Sequence, residues 1–294
     1  MGFSFATVTG TDDLTPHIRR VHLHVEHLAR LQLPGGPDDA VGLYFPEPGR
    51  SRPPAMELRD EVWGYHDLPE PPEGRNYSIR AVDHRTATVD VDFVIHSRGP
   101  ATLWAQRADI GDAVAMSHAR GWYRPASGTD WLLLGTDLAG LPAAARILDE
   151  LANDPRPVIL VVEVIDEDDL AYLGRPVDGV EVISLIGSGN GISASRLGTT
   201  IAALDVPAGT GYCWFAGEAA ESRMVRKHFR REHHWPADRY DIIGYWRYDG
   251  EAWARRYAEH GAELLAVYQQ AIADGKGEKR AAEEFDEALE RAGL

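Results

Sequence analysis

From residue 130 onward the chain alternates strand and helix signals, and this rhythm restricts the second half to one kind of architecture. DWLLLGTD, RPVILVVEVI, VEVISLIG, GYCWFAGE and RYDIIGYW are apolar runs of strand length, while LPAAARILDELA, ISASRLGTTIAAL and AAESRMVRKHFRRE between them carry helix signals. Such alternation specifies a parallel sheet covered by helices. The residues before about 126 keep a different rhythm. HIRRVHLHV (17–25) alternates apolar and polar positions, VGLYFP (41–46) reads as a buried strand, and RNYSIRAV and TATVDVDFVIH form a pair joined by DHR. Short strands separated by turn signals suggest an antiparallel barrel or sandwich, with PATLWAQRA (100–108) as its helical interruption. A helical tail follows GYWRYDGE and breaks near DGKGEK. The expected boundaries are 1–126, 127–250 and 251–294.

A chain of 294 residues with 44% apolar side chains has room for two cores. Its 46 acidic residues against 30 basic ones leave a formal charge of −16, which disfavours a general nucleic-acid or anionic-membrane surface. Any anionic ligand then needs a local basic pocket. The lone Cys213 excludes a disulfide framework, a four-cysteine iron–sulfur cluster and a cysteine zinc site within one chain, and it fits a reducing compartment. MGFSFATVTGTDDL lacks a basic stretch followed by an apolar run, and no segment approaches the roughly 20 apolar residues of a membrane helix. A cytoplasmic monomer without membrane insertion is the expectation.

RNYSIRAVD (75–83) places Arg75, Tyr77 and Ile79 on one face of a strand and Asn76, Ser78 and Arg80 on the other. Only one of these faces is expected to be core. A flat aromatic ligand held on a sheet needs a planar side chain, a small hydroxyl near a ring heteroatom and a cation for any attached phosphate. Arg75, Tyr77 and Ser78 supply these. Downstream, His96 ends a strand, and Gly99, Pro100, Ala101 and Thr102 open a helix that runs through Trp104. A glycine turn into a helix N-terminus presents free amides and a positive dipole end, which suits a pyrophosphate, and the Thr102 hydroxyl is expected to add a donor.

These segments resemble one family. Arg75-Asn76-Tyr77-Ser78 is similar to the R-x-Y-[ST] flavin motif of the ferredoxin-NADP reductase superfamily, and HSRGPATLW (96–104) resembles the H-x-x-x-GPAS-x-W segment of its siderophore-interacting branch. GTDLAGLPAAARIL (135–148), WFAGEAAESRMVRKHFR (214–230) and GYWR (244–247) resemble three further segments of that branch, in order. The resemblance implies an antiparallel β-barrel flavin domain, a parallel-sheet α/β nucleotide-binding-type domain and a C-terminal helical extension. It implies FAD held by Arg75, Asn76, Tyr77, Ser78, His96, Gly99, Ala101 and Thr102, with Thr136 and Asp137 at the cleft beside it. It also implies a flavin-dependent oxidoreductase that reduces ferric siderophores, with NADH, NADPH or a ferredoxin as donor. The two rival readings are a flavin reductase of other acceptors and a non-catalytic siderophore-binding module.

The chain departs from the superfamily in two places. Gly135-Thr136-Asp137 stands where a GTG-type loop is usual, and Phe215-Ala216-Gly217-Glu218 where a Cys-Gly-Pro-like segment is usual. Both weigh toward NADH or ferredoxin over NADPH. SHARGWYRP (117–125) replaces a GPRG-S-F pattern and brings His118 and Trp122 toward the expected ring. GSGNGIS (187–193) follows a strand but is not G-x-G-x-x-G, so a mobile loop is expected there. An anionic ferric siderophore calls for cations, and Arg50, Arg52, Arg124 and Arg247 are the candidates. His22, His24, His27 and His233-His234 read as solvated faces without metal, and DEDD (166–169) as a solvated turn. Trp253, Tyr257, Leu264, Leu265 and Tyr268 form a packing stripe on the tail helix.

Overall fold

The computed structural model describes residues 2–72, 74–96, 99–175, 178–248 and 250–294. The first unit contains β1 (Phe3–Thr15), β2 (Ile18–Val25), the single turn α1 (Leu28–Leu31), β3 (Ala40–Tyr44), a small hairpin of β4 (Glu57–Arg59) and β5 (Val62–Gly64), β6 (Gly74–Asp83), β7 (Thr88–Val94), α2 (Pro100–Arg107) and β8 (Ala113–Arg120). Six of these strands close into an antiparallel barrel in the order β1-β2-β7-β6-β3-β8. Closure leaves no unpaired strand edge. Val21, Leu23, Val41, Leu43, Ile79, Val91, Phe93 and Met116 fill it.

Sequence periodicity did not reveal β1 or β8. In β1 the inward positions are Ser4, Ala6 and Val8, whereas the bulky Phe3 and Phe5 face outward. Phe5 lies under the Arg52 guanidinium, 3.5 Å from its ring centroid, and Phe3 lies against Trp63. The outer face is thus covered by Arg52 and Trp63 of the excursion after β3, and the usual small-polar-out pattern is inverted. β8 is buried along nearly its whole length and so shows no alternation.

The second unit contains β9 (Trp131–Thr136), α3 (Leu141–Glu150), β10 (Val158–Val164), β11 (Val180–Ile186), α4 (Leu197–Ala202), β12 (Gly211–Glu218), α5 (Ala219–Lys227) and β13 (Tyr240–Trp246). The five strands are parallel and ordered β11-β10-β9-β12-β13. Chain direction across the sheet reverses between β9 and β12, and that switch point, outside the C-terminal ends of the strands, is where open α/β sheets bind ligands. The helix expected over 192–204 forms only across α4, because the residues before it are held by Glu163 in a turn. One further turn of π-type winding, His228–Glu232, extends α5.

Two helices, α6 (Gly250–Ala273) and α7 (Glu278–Arg291), form a hairpin with its own small core of Leu264, Ala288, Leu289 and Leu294 against Trp253, Tyr257 and Phe285. Leu265 of the expected stripe is 45% exposed and lies outside this packing. The acidic face of α7 lies on the basic face of α5: Arg226 pairs with Asp286 at 2.5 Å and Arg230 with Glu287 at 2.7 Å. Tyr240 donates to Glu283 at 2.8 Å. Among the described residues no helix is long and apolar enough to cross a membrane.

Charged groups join barrel to sheet. Asp38, in the loop before β3, is buried and accepts hydrogen bonds from the Trp122 amide at 3.0 Å, the Tyr123 amide at 2.8 Å and the Trp214 indole at 3.0 Å. Trp214 belongs to β12, so this one carboxylate ties both units and the linker. Arg146 of α3 donates to the Ile79 carbonyl at 3.0 Å, and Arg80 pairs with Asp149 at 2.7 Å. Of the DEDD segment, Asp166, Glu167 and Asp168 are exposed, as its composition suggested, but Asp169 belongs to the same seam. Asp169 is fully buried and accepts from Thr15 at 2.8 Å, with the His17 ring at 2.9 Å. Tyr172, next to last in the 3-10 segment Glu167–Leu173, donates to Asp92, which also accepts from Arg20 Nε and Nη2. His22 also differs from expectation, sitting between Asp90 at 2.7 Å and Asp12 at 2.9 Å.

Removing a buried acceptor strands its donors. Asp38→Ala is expected to lower the unfolding free energy by about 2–4 kcal/mol, read from chemical denaturation. Asp38→Asn, which keeps one acceptor oxygen, is expected to lose less.

Candidate functional site

The site is built outward from β6. Arg75 and Asn76 are exposed, while Tyr77 turns its ring onto Phe93 with centroids 4.4 Å apart. Phe93 in turn meets Trp104 of α2 at 5.7 Å, and Trp104 meets Phe45 at 5.2 Å. Offset and tilted aromatic contacts of this kind hold geometry as well as burying area. The cluster therefore holds the start of α2 beside the Arg75–Ser78 strand. Burial pushes the Tyr77 phenol well above its ordinary value, although the Arg75 charge opposes this, so it remains a neutral aromatic surface.

Gly99 caps α2 with φ of 106°, a conformation that favours glycine, and a Cβ there would meet the His96 ring at 3.5 Å. Pro100 has no amide, and helix geometry leaves the Ala101 and Thr102 amides without intrahelical acceptors. The Thr102 hydroxyl is not the extra donor expected of it. It accepts from the His96 amide at 3.1 Å and points its own hydrogen back to the Val94 or His96 carbonyl. Its work is to hold the end of β7 against the helix. An exposed arginine, an exposed carboxamide, two helix-terminal amides and a buried aromatic platform suit a flavin nucleotide: the cation and amides match its phosphates, and the platform its rings.

Ser78 is 5% exposed because Tyr245 of β13 reaches across the seam, and the serine hydroxyl donates to the tyrosine hydroxyl at 3.3 Å. Both faces of β6 are thus buried at this point, one by the barrel and one by the sheet domain. Trp122 stands 6.1 Å from Tyr245, centroid to centroid. Residue spacing assigned no role to Tyr245; its position at the end of the terminal strand, facing the switch point, is the signal available. His118 occupies a bulge in β8 at φ of 55° and bonds the Tyr44 hydroxyl at 3.0 Å, and Tyr65 packs edge-on against Tyr44.

Thr136 and Asp137 lie at the switch point, but both are buried. Thr136 donates to the Ala216 or Asp137 carbonyl. The Asp137 carboxylate accepts from the Ala139 amide at 2.9 Å, the Glu218 amide at 2.9 Å and the Trp246 indole at 2.6 Å. These two residues clamp the ends of β9, β12 and β13 together and do not offer polar atoms to the cleft. Burial pushes the Asp137 carboxyl up to about 6, against the pull of its donors.

The GSGNGIS segment is pinned, not mobile. Glu163, fully buried, accepts from Ser188 at 2.7 Å, Ser195 at 2.6 Å and the Arg196 amide at 2.8 Å. A Cβ at Gly189 would fall 1.9 Å from Glu163 Oε2, so only glycine fits. Asn190 accepts from the Leu138 amide at 2.9 Å, which joins this loop to the one after β9.

The four candidate cations fall on three segments. Arg50 is exposed in the loop after β3, and Arg52 is held by Glu26 at 3.1 Å as well as by Phe5. Arg124 is exposed in the linker, with its guanidinium on the Gly121 carbonyl. Arg247 follows β13 and lies 4.3 Å from the Trp253 ring centroid.

A closed antiparallel barrel packed on a parallel five-stranded sheet, with a flavin-compatible strand and helix start at their seam, defines a flavin-dependent oxidoreductase of the ferredoxin-reductase type. Residues 7–123 match the siderophore-interacting FAD-binding domain and residues 129–249 the siderophore-interacting protein domain, and the chain belongs to the siderophore-interacting protein family. It is 29% identical over 215 residues to the NADPH-dependent ferric-chelate reductase of Escherichia coli (strain K12), covering 72% of this chain and 80% of the relative. It is 27% identical over 222 residues to the ferric vibriobactin reductase ViuB of Vibrio cholerae, covering 72% and 79%. A siderophore utilization protein from T. fusca superposes with a TM-score of 0.73 at 26% identity, over 84% of this chain and 93% of that one. A ferredoxin NADP+ reductase from Neisseria gonorrhoeae shares the fold at 12% identity, with a TM-score of 0.59 over 84% and 100%. The α6–α7 hairpin lies beyond the residues that the two family models match.

Ionising Asp137 costs more in the folded chain than in the unfolded one, because its folded value lies above the ordinary 3.8. Relative to Asp137→Asn, the wild-type chain is expected to lose up to about 3 kcal/mol of stability as pH rises from 3.8 to about 6. Denaturation curves across that window measure it, and parallel pH profiles would contradict the assignment.

Proposed function

We propose that this chain is an FAD-dependent reductase of ferric siderophores that takes its electrons from a reduced nicotinamide. The observation that carries the reading is the pairing of Arg75–Ser78 with the open start of α2 on one aromatic cluster, at the seam facing the sheet's switch point. Bound FAD supplies redox chemistry that no side chain here can, taking up two electrons as a hydride and releasing them singly, so that one donor serves two ferric ions.

The chain's part is to bind and orient. Arg75 and the Ala101 and Thr102 amides hold the phosphates, with Gly99 leaving the approach open and His96 and Asn76 beside it. Tyr77 supports the isoalloxazine side, and Ser78 lies at the ring's polar edge, where Tyr245 and Trp122 close the cleft. Thr136 and Asp137 serve the cofactor indirectly, through the clamp. The ferric siderophore is substrate. Arg50, Arg52, Arg124 and Arg247 supply cations for its anionic oxygens, which the negative total charge does not. Fe(II) is held less well by hard oxygen ligands, so reduction favours release. We read the protein as a cytoplasmic monomer, consistent with its buried free Cys213, with reduced ferredoxin as the other class of donor.

Arg75→Ala is expected to purify with less flavin than the wild type, measured as the ratio of flavin to protein absorbance. In the wild-type protein the flavin bands should bleach anaerobically with donor and return on addition of a ferric siderophore. A wild-type chain that neither carries nor takes up FAD would overturn the function, and full flavin occupancy in Arg75→Ala would remove Arg75 from the site.

A further inference from the structure

Arg120 is the last residue of β8, within the SHARGWY segment that departs from the family pattern. Ala40 of β3 pairs with Arg120 on one side and with Ser78 of β6 on the other. Residues in register across neighbouring strands point to the same face, so Arg120 shares the row and the face of Ser78, where Tyr245 reaches over from the sheet. Arg75 lies three residues, about 10 Å, further along β6. Arg120 therefore stands at the ring end of the flavin strand and not at its phosphate end.

The local backbone places this side chain. From Gly42 to Ala40 the β3 strand moves two positions, while β8 moves three, from Ser117 to Arg120. The extra residue makes a bulge, a device that re-aims a side chain. His118 takes the left-handed turn at φ of 55°, and its carbonyl accepts from Arg120 Nε at 3.1 Å. Its ring is tied to the Tyr44 hydroxyl at 3.0 Å, so the bulge is fixed by side chain and main chain together. A histidine kept in a conformation that favours glycine is strain retained at a site of use.

The guanidinium placed in this way has no counter-ion. It is half-buried, and among the described residues it enters no ion pair and bonds only the His118 carbonyl. Asp38 and Asp39 lie against the next residue, Gly121, but both are committed elsewhere. Asp38 serves the Trp122 and Tyr123 amides and the Trp214 indole, and Asp39 the Gly35 and Gly36 amides. The Arg120 charge acts instead on two phenols, Tyr44 of the barrel and Tyr245 of the sheet. Burial raises both phenols and lowers the His118 ring, so at neutral pH these neighbours carry no charge. Burial lowers the guanidinium too, against the pull of the phenols, yet a guanidinium stays protonated in a protein.

A partly desolvated cation among neutral neighbours acts strongly on any charge that develops beside it. A flavin that takes up a hydride gains two electrons and one proton, so its ring system becomes one unit more negative. Passing the two electrons singly to two ferric ions, and the proton to water, restores the neutral ring. The oxidised ring offers Arg120 no charge to meet; the reduced ring does.

From these observations we infer that Arg120 is the electrostatic partner of the reduced flavin ring, favouring the charged reduced state over the neutral oxidised one and so raising the potential at which the chain passes electrons to iron. The inference rests on the flavin-reductase reading above and deepens it. Arg75 and the α2 amides hold the cofactor in either state, whereas Arg120 distinguishes the two.

The test is a dye-referenced redox titration of the FAD-loaded full chain, followed by flavin absorbance, for the wild type, Arg120→Gln and Arg120→Lys. Arg120→Gln is expected to keep the wild-type flavin content when oxidised and to lower the two-electron midpoint by about 30 mV or more, a tenfold or larger change in the equilibrium constant. Arg120→Lys, which keeps the charge, should recover most of that shift. Between about pH 7 and 9 the wild-type midpoint should fall by about 30 mV per pH unit, the value for one proton taken up with two electrons. A slope of about 59 mV means a reduced ring without charge and overturns the inference. An unchanged midpoint in Arg120→Gln overturns it as well, and a raised KM for a ferric triscatecholate in that variant would then make Arg120 a siderophore ligand. So does a lysine variant as low as the glutamine one, or loss of flavin from oxidised Arg120→Gln, which assigns the residue to cofactor retention. A wild-type chain that takes up no FAD overturns the function itself.

Discussion

The seam between barrel and sheet depends on one buried carboxylate. Asp38 comes from the barrel, yet its acceptor oxygens satisfy the Trp122 and Tyr123 amides of the linker and the Trp214 indole of the sheet. Burial raises its own value, and the three donors oppose that shift. An acid held this way is worth little as a charge and much as a fixed acceptor, because the Trp214 indole it serves is fully buried and Trp122 and Tyr123 are only partly exposed. The relative placement of Ser78 and Tyr245, one from each unit, follows from it. So does the order of the aromatic residues between them, since Trp122 is fixed by its own amide.

A second carboxylate repeats the arrangement inside the sheet. Asp137 gathers three strand ends at the switch point, and Asn190 ties the next loop to the same turn. Both use donors that a ligand would otherwise have taken. The consequence is a rigid floor under the cleft, with polar chemistry moved outward to the barrel strand, the start of α2 and the arginines past β13. Preorganisation of this kind suits a protein whose cofactor performs the chemistry, since the scaffold then has only to hold distances.

Much of this was legible in the chain. The parallel sheet was written in strand and helix rhythm, and β6 and the glycine turn before α2 in local chemistry. What remained hidden has a common physical cause. β1 turns Phe3 and Phe5 outward because a distant excursion covers them, so its alternation reads in the wrong sense. Asp169 looks like part of a solvated acidic turn until the barrel brings Thr15 and His17 to it, more than 150 residues earlier in the chain. Thr102 reads as a free donor because the carbonyls it serves are fixed only once β7 meets α2. The role of Asp38 could not be read at all, since a carboxylate in PGGPDDAV carries no sign of an indole 176 positions away. Local patterns reported local structure, and the seam is made of contacts between parts of the chain that local patterns do not connect.

The acidic face of α7 on the basic face of α5 has a further meaning because both belong to one chain. Arg226 and Arg230 meet counter-ions delivered by a tether, so the local concentration of those carboxylates is in the millimolar range typical of short connections. A free acidic molecule at micromolar concentration competes poorly against such a tether. The hairpin therefore works as a built-in competitor that reserves α5's outer arginines for its own carboxylates.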